Sequence, residues 1–302
     1  MTVGRFAPSP SGRMHLGNLF TALLAWLSVR SQNGKMLLRI EDLDPDRSKR
    51  EYIDALKDDL QWLGLTYDEE MPLQSTRTAR YAEAFSQLPA YPCYCSRNEL
   101  HVASAPHASD GNLIYAGTCR NLTEDERSAK TRAPAWRVRV PDAEIAFTDG
   151  VFGEQRENLA KDCGDFIVRR SDGVYAYQLA VVCDDADGGV TEVVRGCDLL
   201  SSTPRQIWLY QTLGLPVPRF YHVPLLVAPD GKRLSKREKS LDMAHLRERF
   251  RPEELTGMLA FLAKLVETPA PVRATELIGG FSWSRVGREP IVVDPQDFSE
   301  KH

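Results

Sequence analysis

The chain has 302 residues, of which 42% are hydrophobic and 26% are charged, and its formal net charge is −4. This length suits one large α/β domain with an added module, or two domains, and the ordinary composition excludes a low-complexity chain. No apolar run is long enough to span a bilayer and no hydrophobic leader opens the chain, so we expect a cytoplasmic protein. We also expect a monomer.

The first forty residues predict a βαβ unit. Val3–Ala7 is a short apolar strand that stops at a cluster of Pro, Ser and Gly. Apolar residues then recur with a 3.6-residue period from Leu16, which predicts a helix that begins close to His15 and ends at Gly34. Met36–Ile40 suits a buried strand. A right-handed crossover between the two strands places the start of the helix at the carboxyl edge of a parallel sheet.

The remainder of the chain predicts a mixed α/β order. Residues 90–120 lack periodicity and resemble a small inserted module. Residues 200–251 carry ten Lys or Arg against four Asp or Glu, a balance that suits either a phosphate-bearing partner or an ordinary solvated surface. The predicted elements are a helix over 53–63, strand-like runs at Trp136–Val140, Phe166–Arg169 and Tyr175–Val182, a helix from Thr203 to about Leu213, a strand at Val223–Val227 and a final helix from about Pro252.

Two short motifs far apart in the chain indicate phosphate chemistry. The sequence PSPSGRMHLGN occupies residues 8–18, and KRLSKR occupies residues 232–237, directly after a Pro-Asp-Gly turn. A helix that opens at His15 and Gly17 offers unpaired N–H groups and a positive dipole end, while Lys236 offers a mobile cation on a loop. Each motif alone fits a solvated helix start or a basic turn. Together they predict a site that stabilises a reacting α-phosphate from two sides, with His15, Gly17 and Lys236 as catalytic residues.

Several ordered blocks of the chain resemble class I glutamyl-tRNA synthetases over about residues 3–240. They read RFAPSPSG at 5–12, HLGN at 15–18, LRIEDLD at 38–44, YQLAVV at 177–182, VRGCDLL at 194–200 and RLSKR at 233–237. The two phosphate motifs are similar to the HIGH and KMSKS elements of that class, with Asn18 in place of the last His and Leu234 in place of Met. The resemblance implies a Rossmann-like α/β catalytic domain with an inserted module.

The resemblance also implies which residues bind the substrates. ATP, with Mg²⁺, is expected to contact Pro8, Ser9, His15, Gly17, Asn18, Arg233, Ser235 and Lys236. L-glutamate is expected to contact Arg5, Phe6, Ala7, Pro8, Ser9, Glu41, Tyr177 and Arg195. The chemistry agrees with these expectations, because a substrate with two carboxylates and one ammonium needs guanidinium partners and an anionic partner.

A zinc site is the second candidate. Three cysteines and a tyrosine in the inserted module have a spacing that fits either one zinc ion or free thiols, and His101 or His107 are alternatives to the tyrosine. The resemblance favours one structural zinc, since a shortened relative of glutamyl-tRNA synthetase is similar at these positions. The expected ligands are Cys93, Cys95, Tyr115 and Cys119. The remaining cysteines lie in apolar runs and are expected in the core; they are Cys163, Cys183 and Cys197.

The expected domains are the first half of the catalytic domain at 1–90, the zinc module at 91–135, the second half with the KMSKS-like loop at 136–240, and a short C-terminal helical segment at 241–302. The last segment is too short for the helical domains with which glutamyl-tRNA synthetases read an anticodon. This arrangement resembles the shortened paralogues that esterify glutamate onto queuosine. We therefore expect tRNA-independent, ATP-dependent formation of glutamyl-adenylate, followed by transfer of glutamate to the cyclopentenediol of queuosine-34 in tRNA(Asp).

Three other functions stay open. A stand-alone glutamyl-tRNA synthetase would charge a tRNA 3′ end with the same activated glutamate. A non-catalytic regulator that binds RNA would retain the fold, although it is expected to lose His15, Glu41 or Lys236, and all three are present. A small-molecule nucleotidyltransferase of similar topology is disfavoured by the two arginines of the expected pocket and by the long insert.

Overall fold

A computed structural model describes residues 1–96, 105–106, 113–232, 234 and 241–298. The strands are β1 (Val3–Phe6), β2 (Lys35–Leu38), β3 (Glu69–Glu70), β4 (Ala90–Cys93), β5 (Ala105–Pro106), β6 (Leu113–Ile114), β7 (Ala135–Val138), β8 (Glu144–Asp149), β9 (Gly153–Asn158), β10 (Ile167–Arg169), β11 (Glu192–Gly196), β12 (Arg219–Val223), β13 (Leu226–Val227) and β14 (Ile291–Val292). The helices are α1 (Leu16–Ser31), α2 (Arg50–Trp62), α3 (Thr78–Ser86), α4 (Glu124–Ser128), α5 (Tyr177–Asp187), α6 (Thr203–Thr212), α7 (Met243–Arg249), α8 (Pro252–Leu262) and α9 (Ala274–Leu277).

A five-stranded parallel sheet organises the molecule, in the order β12-β11-β1-β2-β3. β1 is central and pairs with β2 on one side and with β11 on the other. Met36 and Leu38 of β2 belong to one hydrophobic core, and Leu37 between them belongs to a second core. Successive side chains of a strand point to opposite faces, so the sheet is buried on both faces. The predicted βαβ unit is confirmed.

Helices cover the two faces of this sheet. α1 contacts β1, β2 and β11, and α8 and α9 pack against α1 in the first core. α5 contacts both α3 and α6 beside the second core. Eleven of the sixteen residues of α1 are buried, which explains why leucine dominates its sequence. Among the described residues, no helix is both long enough and apolar enough to cross a membrane.

Two predicted strands are wrong in detail. The run Tyr175–Val182 is not a strand, because a helix, α5, begins at Tyr177. Its residues 179–185 are all buried, so the helix is apolar on most sides and the 3.6-residue period is lost. The predicted strand Val223–Val227 is interrupted between β12 and β13. Pro224 stands at the break, and proline has no N–H to continue a ladder.

The C-terminal segment is richer in structure than the single helix expected from its sequence. It contains α7, α8 and α9, and β14 pairs in parallel with β13, with Ile291 opposite Leu226. Cys163 and Cys183 are buried as expected, whereas Cys197 is only half-buried. That expectation was wrong because Cys197 follows β11 and begins a 3₁₀ turn in which only Ser202 is buried.

Candidate active site

The carboxyl ends of β1, β2 and β11 open onto one cleft with a volume of about 490 Å³. Ligands of open parallel sheets bind in this position, outside the carboxyl ends of the strands. The residues predicted to bind glutamate all line it: Arg5, Phe6, Ala7, Pro8, Ser9, Glu41, Tyr177 and Arg195. Of the residues predicted to bind ATP, those that the structure describes also line it: Pro8, Ser9, His15, Gly17 and Asn18.

One wall of the cleft is the first turn of α1. The carbonyl of His15 accepts the N–H groups of Asn18, at 2.8 Å, and of Leu19, at 3.2 Å. Asn18 in turn accepts the His15 N–H at its Oδ1, at 3.1 Å, so the residue that departs from the family pattern caps its own helix. A Cβ on Gly17 would lie 3.3 Å from Cε1 of His15, and glycine leaves the imidazole room.

The chain around the second motif reaches the same cleft. Leu234 is buried and lines the cleft, so the position that carries Met in the family motif serves here as an apolar anchor. Directly after the motif, the Met243 N–H donates to the Met14 carbonyl at 2.9 Å, and Asp242 forms an isolated bridge with His15. Several predicted ligands lie outside the described residues: Arg233, Ser235, Lys236, His101 and His107.

Linked ion pairs lie behind the inner end of the cleft, where Arg5 and Glu41 line it. Buried Arg39 pairs with Asp185 and, through Nη2, with Oε1 of Glu41 at 3.0 Å, while Nε of Arg5 lies 3.2 Å from Oδ1 of Asp185. Burial would raise the pKa of Asp185, but Arg39 and Arg5 hold it below its usual range. Burial raises the pKa of Glu41 despite the opposing charge of Arg39. Sequence analysis assigned no role to Arg39 or Asp185.

Three groups at this end keep hydrogen-bonding capacity for a ligand. Arg5 donates through Nη1 to the Val194 carbonyl at 3.0 Å, and its Nη2 has no partner among the described residues. Oε2 of Glu41 and the hydroxyl of Tyr177 likewise have no hydrogen bond within the described part of the chain. Burial and the charge of Glu41 raise the pKa of Tyr177, so its hydroxyl stays protonated and can donate. A ligand that accepts hydrogen bonds from Arg5 and Tyr177 and places a cation beside Glu41 would satisfy all three groups.

Arg195 lies on β11 and is fixed from behind. Its Nε donates to Nε2 of His222 at 3.0 Å, and Nδ1 of His222 lies 2.6 Å from Asp149. The other acceptors of its guanidinium are the Gln206 amide, the Thr203 hydroxyl and the Leu199 carbonyl. These partners were not predicted from the sequence. The single His in the run FYHV at 220–223 was the sequence signal that could have indicated one of them, and the structure shows that it is buried.

The predicted zinc ligands lie close together near β4 and β6. Sγ of Cys95 is 3.6 Å from Sγ of Cys119, and the Tyr115 hydroxyl lies 3.5 Å from Sγ of Cys93 and 3.8 Å from that of Cys95. The Cys119 N–H donates to the Tyr115 oxygen at 2.7 Å. Burial would raise the pKa of Cys93, but hydrogen bonds from Tyr115 and the Cys95 amide and the charge of Arg137 hold it below its usual value. Cys93 therefore favours the thiolate, the form that binds metals, whereas burial and the charge of Cys93 raise the pKa of Cys95 to about 12.

The sequence matches known proteins over almost its whole length. Residues 1–278 match the family described as tRNA synthetases class I (E and Q), catalytic domain. A protein of Symbiobacterium thermophilum named glutamyl-Q tRNA(Asp) synthetase is 50% identical, over 97% of this chain and 96% of that protein. A protein of Nitratidesulfovibrio vulgaris with the same name is 46% identical, over 100% of this chain and 98% of that protein. These matches confirm the resemblance that the ordered blocks indicated.

The fold is also similar to solved structures. A glutamate tRNA ligase from Elizabethkingia meningosepticum, in complex with its amino acid, superposes with a TM-score of 0.82 at 27% identity. The similarity covers 98% of this chain and 68% of that ligase. The glutamate-tRNA synthetase of Elizabethkingia anophelis gives a TM-score of 0.83 at the same identity, over 98% of this chain and 69% of that chain.

Proposed function

The chain belongs to the class I tRNA synthetases of the E and Q family, in the group named glutamyl-Q tRNA(Asp) synthetase, and on that basis we propose that it activates L-glutamate with ATP and transfers it to queuosine-34 of tRNA(Asp). One observation carries the activation step: the arginines, the carboxylate and the tyrosine expected for an acidic amino acid share a single cleft with the N-terminus of α1. The acceptor rests on the names of the relatives.

The charges at the inner end of the cleft favour an anionic amino acid. The guanidinium groups of Arg5 and Arg195 and the carboxylate of Glu41 line the same cleft. Glutamate offers two carboxylates to the guanidinium groups, whereas glutamine offers one carboxylate and a neutral amide. Arg5 and Tyr177 supply donors for the carboxylates, and Glu41 supplies an acceptor for the ammonium.

The nucleotide end of the cleft is built for phosphate. The first turn of α1, with the positive end of its dipole, lines the cleft at His15, Gly17 and Asn18. His15 can donate to a phosphate oxygen, and Lys236 stays the predicted cation for the opposite side. Mg²⁺ accompanies the triphosphate of ATP and supplies further positive charge there.

The reaction follows in two balanced steps. A glutamate α-carboxylate oxygen attacks the α-phosphorus of ATP, an oxygen–phosphorus bond forms, and the bond to pyrophosphate breaks. The positive groups around the cleft stabilise the charge that builds on the phosphate. A hydroxyl of the queuosine cyclopentenediol then attacks the acyl carbon of glutamyl-adenylate, and an ester, AMP and a proton are released.

The cysteine cluster supports one structural zinc. A tetrahedral zinc with Zn–S bonds of about 2.3 Å and a Zn–O bond of about 2.0 Å holds two sulfurs about 3.8 Å apart and a sulfur and an oxygen about 3.5 Å apart. The 3.6 Å between Cys95 and Cys119 and the 3.5 Å between Cys93 and Tyr115 fit this geometry. Such a zinc would tie β4 to the segment around Cys119 in a module with a small core of its own.

The activation step is tested by glutamate-dependent ATP–pyrophosphate exchange without RNA. We expect exchange with L-glutamate, little with L-glutamine, and strong loss in Glu41→Gln, which removes the partner of the ammonium. Glu83→Gln, an exposed change on α3 away from the cleft, is the matched control and should behave as wild type. Absence of glutamate-dependent exchange without RNA would contradict tRNA-independent activation.

The acceptor is tested with radiolabelled glutamate and two tRNA pools, one with queuosine and one without. Label should enter only the pool that contains queuosine, prior periodate oxidation of the diol should abolish it, and nuclease mapping should place it in the anticodon of tRNA(Asp). Ester at the 3′ end of tRNA(Glu), in either pool, would instead identify a glutamyl-tRNA synthetase.

A further inference from the structure

Behind the cleft, Arg195, His222 and Asp149 form a buried hydrogen-bonded triad. Oδ2 of Asp149 lies 2.6 Å from Nδ1 of His222, and Nε2 of His222 lies 3.0 Å from Nε of Arg195. The side chains of Asp149 and His222 are fully buried, and neither is among the residues that line the cleft. The triad links three strands, because Asp149 ends β8, His222 is in β12 and Arg195 is in β11.

The donors and acceptors of the triad fix the tautomer of the His222 imidazole. The Nε–H of Arg195 can only donate, so Nε2 of His222 must carry a lone pair. The ring proton is then on Nδ1 and is donated to Asp149. Burial lowers the pKa of His222 to about 4, which agrees with a neutral ring. Only one of the two neutral tautomers therefore fits between the arginine and the carboxylate.

Asp149 is itself held in place as a carboxylate. Its Oδ1 accepts the N–H groups of Val151, at 2.9 Å, and Phe152, at 2.8 Å, in the turn after β8. Burial would raise its pKa, but the hydrogen bond from His222 and these amides hold it below its usual range. The acceptor that selects the tautomer of His222 is thus anchored to the backbone.

The triad and three further acceptors fix the orientation in which Arg195 can bind a ligand. Four of its five N–H groups are used by His222, Gln206, Thr203 and the Leu199 carbonyl, which leaves one N–H on Nη1 without a partner in the described part of the chain. A guanidinium held at four points has lost its rotamer freedom before a substrate arrives, so binding does not incur that entropic cost. Its remaining donor has a fixed direction.

We propose that Asp149 and His222 are positioning residues that select the orientation in which Arg195 binds a carboxylate of glutamate. The proposal rests on the proposed activation of glutamate. Neither residue touches the substrate. They act by presenting a lone pair to Nε of Arg195, and a proton on Nε2 would turn that contact into a repulsion between two donors.

Two substitutions of His222 separate this role from simple packing. In His222→Gln the amide oxygen replaces the acceptor at Nε2, whereas in His222→Asn the shorter amide stays near Asp149 and leaves Arg195 without its acceptor. In pyrophosphate exchange, we expect His222→Asn to raise the glutamate KM about tenfold or more, with kcat and the ATP KM close to wild type. His222→Gln should recover most of the loss. A packing role would impair both variants alike and would change both KM values.

Asp149→Asn tests the tautomer directly. The Asn oxygen at the position of Oδ1 keeps the two backbone amides of the turn and the His222 N–H, which lies 3.3 Å from it. Its NH₂ faces Nδ1 of His222 and forces the ring proton onto Nε2, opposite the Nε–H of Arg195. The ¹⁵N shifts of the histidine ring, assigned by the signal lost in His222→Gln, should report an Nδ1–H tautomer in wild type and an Nε2–H tautomer in Asp149→Asn. The glutamate KM should rise with that change.

The outcomes separate this proposal from the proposed function. A wild-type protein without glutamate-dependent exchange would refute the proposed function, while its ¹⁵N spectrum would still decide the tautomer. Normal exchange in wild type with an unchanged glutamate KM in folded His222→Asn would overturn the positioning role. If neither variant folds, an Nε2–H tautomer in wild type would overturn it and an Nδ1–H tautomer would support it.

Discussion

The hydroxyl of Tyr177 allows substrate binding to be separated from stability. This hydroxyl lines the cleft and has no hydrogen bond to another described residue, so Tyr177→Phe leaves no orphaned partner in the free protein. A hydroxyl that donates to a carboxylate contributes about 1.5–3 kcal/mol, which corresponds to a rise of about 10- to 150-fold in the glutamate KM. The free energy of unfolding should change by no more than about 0.5 kcal/mol.

Tyr81 supplies the opposite case and serves as the matched control. Its hydroxyl donates to buried Asp184, at 3.0 Å and 3.1 Å from the two carboxylate oxygens, and Tyr81 does not line the cleft. Tyr81→Phe leaves that carboxylate short of a donor and should lower the free energy of unfolding by about 1–3 kcal/mol. The glutamate KM should stay at the wild-type value.

The assays are urea unfolding for stability and glutamate-dependent pyrophosphate exchange for binding. The reasoning requires each substitution to affect one measurement and spare the other. A glutamate KM within twofold of wild type in Tyr177→Phe would show that the hydroxyl does not face the substrate. A loss of stability in Tyr177→Phe equal to that in Tyr81→Phe would show that the hydroxyl has a partner in the free protein.

Three further outcomes are expected. Cys119→Ser should lose the zinc measured by elemental analysis and lower the melting temperature, whereas Cys197→Ser should keep the metal; equal zinc in both would exclude the cluster as the site. Burial raises the pKa of Glu41 above its usual 4.5. The glutamate KM should therefore rise as the pH falls towards that raised pKa, because the protonated carboxyl no longer pairs with the ammonium. A KM independent of pH would contradict this pairing. In Gly150→Ala the new Cβ would lie 2.0 Å from the Tyr221 ring, which should lower the unfolding free energy by about 1–3 kcal/mol; Gly279→Ala, with nothing within 4 Å, should leave it unchanged.

The sequence predicts the parallel sheet and α1 because their patterns are strong and local. A continuous apolar run around Met36 and a clear helical period from Leu16 each follow from burial of one element against its neighbours. α5 escapes the same reasoning, since burial on most sides erases its period and only tertiary contacts distinguish it from a strand. The hydrophobic pattern therefore does not distinguish a helix from a strand where the element is buried on most sides.

The candidate site divides in the same way. Three predicted residues of the pocket lie in motifs that resemble those of the family, and the structure places them around one cleft; they are Arg5, Glu41 and Arg195. Their supporting groups carry no such motif: His222 is 27 positions from Arg195, and Asp149 is 73 positions from His222. Contacts of this range depend on how the strands align, which the pattern of a single chain does not specify.

The central place of β1 in the sheet has a consequence during translation. β1 leaves the ribosome before the other described strands, yet it is joined to the segment that enters β11 by a hydrogen bond between residues 188 positions apart. Until that later segment emerges, one edge of β1 has no partner, and Arg5 lacks both Asp185 and the Val194 carbonyl. A nascent chain therefore cannot form the complete surroundings of Arg5 until β11 has emerged.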